Sequence, residues 1–447
     1  MTKSSDKRWF MPDDFKAAFN IFCCSYGIGT LGMPGNFSRS GPTIATLALI
    51  FMSFANIYAS ICLSKVMLLA PRTVKNFGDI GEWCMGKWGR ALSIIAQLGC
   101  SAGVAFAGCM GTIIADIIGV AVVMHGMRGH PSVPFPDINF SQVAGMFGNL
   151  SLAYGAGIVI PDVQRQHSVP TRMPKVVCAT VTFISCLFLT LASTGYSAVG
   201  CQISGNLLFT IYPDSVTGLS DLGFASDWGA VVLAYIFMQL HITIAFSVIL
   251  NPAFFICERL VLGMHKSAEV DIENAAGYIE AATPVDHSST DNGGLRTSKA
   301  SYLSTVSHGD AAHEDDAEVE AAEYRGGANV LKYIGLRIAI VAVLVIASVL
   351  WKDHFGDLAD FVGASCITAN CIVLPIAYYY IKAWDKVSLL EKIPGFAVFI
   401  SCFVLGCYVT YTTGKALFSP VDDSVNFPFC SAEYENDVYY NYTAVHG

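Results

Sequence analysis

A chain of 447 residues that is 53% hydrophobic and only 14% charged, with net charge −9 and mean hydropathy +0.51, does not read as soluble domains. Those run nearer a quarter charged. Paired catalytic carboxylates, a zinc motif, a phosphate loop and a repeated ring of pore-lining charge are missing from the sequence. An enzyme, a cofactor, a bound metal, a channel and a nucleic-acid partner are therefore not expected.

The first 14 residues are polar and carry no small-residue cleavage site, so the first apolar stretch is expected to remain as a span. Apolar stretches of about span length lie at 15–36, 42–69, 91–125, 142–163, 176–199, 228–262, 331–350, 358–381 and 393–417. Lipid cannot pair with backbone polar groups, so all nine are expected to be helices of an all-α polytopic membrane protein. The stretch 91–125 would measure ~52 Å as one helix and is read as a single long span projecting beyond the bilayer. A split near Gly108–Gly111 would invert everything after it.

Between the sixth and seventh spans the chain turns polar, with "HSSTDNGGLRTSKASYLSTVSHGD" followed by the acidic "AAHEDDAEVEAAEY". Such composition cannot build a core and predicts a disordered loop. The expected organisation is a cytosolic segment 1–14, helices over 15–262, a disordered acidic cytosolic loop 263–329, helices over 330–417 and an extracytosolic tail 418–447.

Lys and Arg fix the orientation. With a cytosolic amino terminus and alternating spans, 22 of the 26 fall on the cytosolic side, leaving Arg39, Arg128, Lys352 and Lys415 outside. Most of the 15 cysteines lie in apolar stretches, as Cys23, Cys24, Cys100, Cys109 and Cys186 do, and act there as small hydrophobes. Cys201 and Cys430 both fall outside and can pair, although free thiols are the favoured reading. Asn139 and Asn441 begin weak outward-facing glycosylation sequons.

Two stretches break the helical pattern. "CCSYGIGTLGMPGNFSRSGP" (23–42) clusters Gly27, Gly29, Gly32, Pro34 and Gly35 inside the first span. "GNLSLAYGAGIVIP" (148–161) places Gly155 and Gly157 in mid-span with Pro161 after them. Interior Gly costs a helix about 1 kcal/mol relative to Ala and Pro about 3. Clustered together they predict helices interrupted near mid-membrane, where freed N–H groups and a half-helix dipole suit a carboxylate and freed carbonyls suit a cation. Close packing of small residues against a neighbouring helix is the competing reading. Two interrupted spans in one chain point to a transporter site at the interface of two repeats.

These residues resemble the amino acid/auxin permease family. "YGIGTLGMPGNFSRSGP" is similar to that family's first-span G-x-G-x-L-x-x-P, and "FGNLSLAYGAGIVIPDVQRQ" to its sixth span. In order there follow "MPKVVCAT", "STGYSAVG", "QLHITIAFSVILNPAFFICERL" and "FVGASCITANCIVLPIAYYY", which resemble the later spans up to the tenth. The resemblance implies a LeuT-like fold of two inverted five-helix repeats and movement of amino acids coupled to protons or sodium. Family members usually have eleven spans, and this chain has nine; the gap falls between the third and sixth. The first repeat is then shortened to three helices, either by adaptation of the fold or by truncation of the gene product.

The resemblance places substrate at Ser25, Tyr26, Gly27, Ile28, Gly29 and Thr30, facing Tyr154, Gly155, Ala156 and Gly157. Neither stretch contains Asp or Glu, which favours neutral amino acids. Ionisable groups inside spans are rare and functional by default. His241 and Asp162 are candidates for coupling a proton, and Ser247 for a sodium site; packing of His241, pairing of Asp162 with Arg165 or Arg172, and back-bonding of Ser247 to its own helix compete with those roles. Asp116 lies in the outer third of the long third span, where a protruding helix would expose it. The expected function is secondary active transport of neutral amino acids, coupled to a proton or sodium. The alternative is a non-transporting amino acid sensor or an inactive truncated variant. The expected partners are the amino acid, the coupling ion and the lipid bilayer. "DKVSLL" (385–390) has dileucine spacing in a very short loop, so plasma and vacuolar or lysosomal membranes both stay open.

Overall fold

The computed structural model describes residues 9–71, 74, 77–98, 106–129, 135–203, 205–220, 222–263, 327–351, 354–418 and 429–430. Among them the regular structure is helical, with only isolated β-bridges besides. The chain is an all-α polytopic membrane protein. Six helical runs among the described residues are long and apolar enough to cross a bilayer: Gly29–Leu69, Phe140–Gln166, Pro170–Gln202, Asn329–Leu350, Gly356–Lys386 and Leu389–Phe418. Met110–Gly126 and Trp228–Thr243 are shorter apolar helices. This is fewer than the nine expected spans because the first joins the second in one run after its interruption, the stretch 91–125 is divided by 99–105, which lie outside the described residues, and 228–262 is represented only by the shorter Trp228–Thr243. The expected loop and tail also fall almost wholly outside them, at 264–326, 419–428 and 431–447.

The first span begins as α1 (Pro12–Ser25), with Pro in the first turn and Asp13 and Asp14 beside it, where carboxylates suit the helix dipole. It stops at Tyr26 and Gly27, resumes as a 3-10 turn (Ile28–Gly32) and continues as α2 (Met33–Leu69). Within α2, Gly41 has φ 74°, a left-handed value, and Pro42 follows. Glycine's freedom there separates the outer end of the first span from the second. Next come α3 (Phe77–Leu98), α4 (Phe106–Gly126) and α5 (Phe140–Ala153), the last capped by the Asn139 side chain, which accepts from the Gln142 N–H at 2.9 Å. Only 127–139 separate α4 from α5, too few residues for two further spans.

A second interruption follows: α5 ends at Tyr154, a 3-10 turn covers Gly155–Val159, and α6 (Ile160–Gln166) completes the crossing. Then come α7 (Met173–Val199), α8 (Leu207–Ile211), α9 (Trp228–Cys257) and α10 (Gly327–Leu350). The next span runs from α11 (Phe355–Val362) through two π-helical turns, Gly363–Ile367 and Ala369–Val373, into α12 (Leu374–Ala383). The chain closes on α13 (Leu389–Phe418).

The fold divides into two units, Met1–Leu250 with Trp351–Gly447, and Asn251–Leu350. In the first, α2 lies along α7 and also packs on α5 and α12, while α5 packs on α11, α13 and the first π-turn. Small residues also let α13 approach the first π-turn: a Cβ on Gly406 of α13 would meet the Ala364 carbonyl at 2.9 Å. In the second unit the buried Glu258 accepts from Arg337 Nε at 2.6 Å, and the guanidinium lies over the Phe254 and Tyr333 rings. Glu258 therefore pairs, as a carboxylate ending a span is expected to.

The two ends of the first unit are closed differently. At the end the charge count puts outside, Arg39 Nη1 and Asp360 Oδ2 form an ion pair at 2.7 Å, and Phe429 lies under the guanidinium at 5.4 Å. Cys201 and Cys430 form a disulfide there, so the less favoured reading of these thiols is the correct one. The Phe429 N–H donates to the Cys201 carbonyl at 3.1 Å, and the Asp137 N–H to the Phe429 carbonyl at 3.0 Å. At the other end Asp14 accepts from Arg172 Nη2 at 2.6 Å and lies 3.1 Å from His167 Nε2. The Trp9 carbonyl accepts from Arg172 and Lys175.

Candidate substrate site

The first interruption lies against the last turns of α5, just before the second interruption. A Cβ on Gly29 would come within 2.9 Å of the Ala153 Cα, and one on Gly32 within 2.9 Å of the Asn149 side-chain carbon. Beside them Asn36 Nδ2 donates to Asn149 Oδ1 at 2.8 Å. Interruption and close packing, the two competing readings of these glycines, are thus both present. No side chain larger than hydrogen fits at Gly29 without moving α5.

The first interruption is organised by Thr30. Its N–H donates to the Gly27 carbonyl at 2.9 Å, and its hydroxyl, with one proton to give, lies 2.9 Å from that carbonyl and 2.8 Å from Asp116 Oδ2. Asp116 comes from α4 and is 2% exposed. The expectation that a protruding third span exposes it is therefore wrong: α4 packs on α1, the first 3-10 turn, α7 and α8, and carries Asp116 inward. His241, on α9, approaches from another side; its Nε2 would lie 3.3 Å from a Cβ on Gly27. Ser25 and Tyr26 are both 5% exposed, and the Tyr26 ring stacks on Phe22 at 5.3 Å.

The second interruption is lined by small and aromatic groups. Tyr154 OH and Ser185 Oγ are 2.6 Å apart, and Ser185 Oγ donates to Ser53 Oγ at 2.8 Å, a chain of hydroxyls linking the turn to α7 and α2. Phe188 of α7 joins the two turns, with ring centroids 5.9 Å from Tyr26 and 5.2 Å from Tyr154. Ala156 and Gly157 are buried, and a Cβ on Gly157 would meet the Cys371 Cα at 2.9 Å. Gly155 is looser: the nearest atoms to its Cβ position belong to Ile367 at 3.8 and 3.9 Å.

Two helices interrupted side by side in a polytopic membrane protein leave backbone groups that need a ligand, water or packing inside the bilayer. The sequence matches the family described as transmembrane amino acid transporter protein, over residues 14–110 and again over 93–418. The chain belongs to that family. It is an amino acid transporter by family and a multi-pass membrane protein by architecture. The two matches overlap at 93–110. No curated protein sequence matches the chain.

In this transporter the residues singled out from sequence divide into three groups. Ser25, Tyr26, Gly27, Gly29, Thr30, Tyr154, Gly155, Ala156, Gly157 and His241 gather at or beside the two turns. Ile28 lies in the first 3-10 turn and Ser247 on α9, but their side chains fall outside the described residues. Asp162 stands apart, exposed on α6. Its two expected partners are engaged elsewhere: Arg165 donates to the carbonyls of Val74 and Pro71, and Arg172 to Asp14. Asp116 and Phe188 join the site without having been expected there. A lone acid in an apolar stretch is the sequence signal that marks Asp116. Phe188 carries none, being one of 28 phenylalanines.

Proposed function

We propose that the protein is a secondary active transporter of neutral amino acids that works by alternating access, driven by a proton or sodium gradient. The cargo is held between Ser25, Tyr26, Gly27, Ile28, Gly29 and Thr30 on one side and Tyr154, Gly155, Ala156 and Gly157 on the other. Backbone N–H groups of the first turn take the carboxylate, and the small residues of the second leave volume for the side chain. His241 is the best placed of the three coupling candidates because it borders Gly27; Asp162 and Ser247 are secondary.

The observation that supports this reading most directly is the close approach of the first interrupted turn to the end of α5 that leads into the second, closest at Gly29 and Ala153. Neutral cargo is favoured because neither turn carries an acidic or basic side chain. The loop 263–329 lies in the cytosol and the tail 418–447 outside, in a plasma, vacuolar or lysosomal membrane. The test is uptake by sealed liposomes containing the purified full chain, offered radiolabelled alanine, glutamine, leucine and proline singly under an imposed pH or sodium gradient. Accumulation that collapses with the gradient supports transport. Saturable binding of one of these amino acids with no accumulation favours a sensor, the reading motivated by the short link between α4 and α5.

A further inference from the structure

We propose that Asp116 is the carboxylate that takes up the coupling cation, a proton or a sodium ion, at the interrupted turn of the first span. This assignment rests on the transport reading above. Asp116 Oδ2 lies 2.8 Å from the Thr30 hydroxyl, the Tyr26 hydroxyl also bonds the carboxyl group, and Oδ1 is buried with no hydrogen bond of ordinary geometry among the described residues. A carboxylate so placed in lipid is tolerable only when a positive charge or a proton neutralises it.

Among the described residues no permanent positive charge lies near it. The elements packed on α4 are α1, the first 3-10 turn, α7 and α8, and α9 approaches it at Gly111, where a Cβ would meet the Phe237 carbonyl at 2.7 Å. Their charged residues are Asp13, Asp14 and Lys16 at the start of α1 and Lys175 at the start of α7. Lys16 is roughly 20 Å along the span from Thr30 by helical rise. The titratable groups that border the turn are Tyr26 and His241, the latter also 3.8 Å from a Cβ position on Gly111 of α4. Neither carries a permanent positive charge. Among the described residues, balance for Asp116 therefore depends on a proton or a sodium ion taken up from solution.

Position links this cation to the cargo. The Thr30 hydroxyl lies 2.8 Å from Asp116 Oδ2 and 2.9 Å from the Gly27 carbonyl and has one proton to give, so a proton arriving on Asp116, or a sodium ion lying against it, decides which of the two the hydroxyl serves and acts on the turn that holds the cargo carboxylate. The cation binds from one side and leaves to the other; no bond to the cargo forms. With Asp116 balanced in this way the site stays suited to a net-neutral zwitterion.

The experiment compares wild type, Asp116→Asn and Asp116→Glu, each as the full chain in sealed liposomes, with radiolabelled alanine, glutamine, leucine, proline, lysine and arginine offered singly. An imposed pH gradient and an imposed sodium gradient are separate arms and identify which cation is used. Asp116→Asn is expected to lose at least tenfold in gradient-driven accumulation while keeping counterflow exchange within about threefold. Asp116→Glu is expected to restore accumulation in part, with its half-saturating cation concentration shifted at least threefold. Accumulation by Asp116→Asn at the wild-type level overturns the assignment. So does an unshifted cation dependence in Asp116→Glu, which decides the matter if the Asn variant does not fold. A wild-type preference for lysine or arginine that Asp116→Asn abolishes gives the carboxylate to the cargo and also overturns it. Wild-type liposomes that accumulate nothing under either gradient defeat the transport reading itself, and this assignment with it.

Discussion

The two interrupted turns share a geometry and differ in chemistry. Each is a short 3-10 segment following an α-helix that stops in mid-span. The first is bordered by Asp116, Thr30 and His241, groups that bear or respond to charge. The second is bordered by Ala156, Cys371, Ile367 and the hydroxyl chain from Tyr154 to Ser53. Interrupted backbone supplies polar groups at both, but only one turn has a side chain able to balance charge. We infer a division of labour in which the first turn handles carboxylate and cation and the second sets the size of the cargo.

The contact of the first turn with the end of α5 is where the comparison breaks most completely. Gly29→Val is expected to reduce flux to background, because its Cβ alone would sit 2.9 Å from the Ala153 Cα and 3.1 Å from its Cβ. Overpacking of this kind costs about 1–3 kcal/mol and forces backbone to shift. The variant is therefore expected to lower thermal stability as well. Gly29→Ala with Ala153→Gly tests whether spacing is the cause: the pair should recover stability and flux in part relative to Gly29→Ala alone. Full flux in Gly29→Val would show that the first turn and α5 do not need to touch and would remove Gly29 from the site.

Both interruptions are visible in the sequence because their cause is local. Irregular backbone requires Gly and Pro at the positions where it occurs, and Gly27 to Pro34 and Gly155 to Pro161 supply them. The all-α class is equally visible, since it follows from the length and apolarity of each stretch. What is hidden depends on neighbours distant in sequence. Asp116 meets Thr30 across 86 positions, and its burial follows from how α4 packs, which no local pattern reports. The same is true of Arg39 with Asp360, 321 positions apart, and of the disulfide, whose cysteines are separated by 229. The sequence marks Asp116 as unusual and leaves its surroundings to the structure.

The hydroxyl chain at the second turn sharpens the comparison at intermediate strength. Tyr154→Phe removes one hydrogen bond, to Ser185 at 2.6 Å, and leaves the ring against Phe188. A neutral hydrogen bond contributes about 0.5–1.5 kcal/mol net. The expected effect is a several-fold rise in KM for the transported amino acid with the cation dependence unchanged. Ser185→Ala should match or exceed it, because it also removes the bond to Ser53, and the double variant should cost less than the sum of the two, as expected for partners in one contact. A change in cation dependence in either variant would mean that the second turn takes part in coupling, against the division proposed.

The smallest expected effect is the most specific. At Gly155 a Cβ meets only the Ile367 side chain, at 3.8 and 3.9 Å, which is ordinary van der Waals contact. Gly155→Ala should therefore fold with a melting temperature close to wild type, unlike a substitution at Gly157, where the Cys371 backbone is in the way. An added methyl at the second turn takes volume from the cargo without touching charge. One methylene in an apolar pocket discriminates by ~1–3 kcal/mol, and a partly open site sits at or below the lower end. Flux of leucine should fall relative to alanine by several-fold, with the ratio of pH-driven to exchange flux unaltered for each. If both amino acids fall equally, the methyl acts on the motion of the turn. If neither falls, the side chain of the cargo does not lie at Gly155, and the volume that sorts cargo by size belongs to the Tyr26–Phe188 side, where rings from both turns meet.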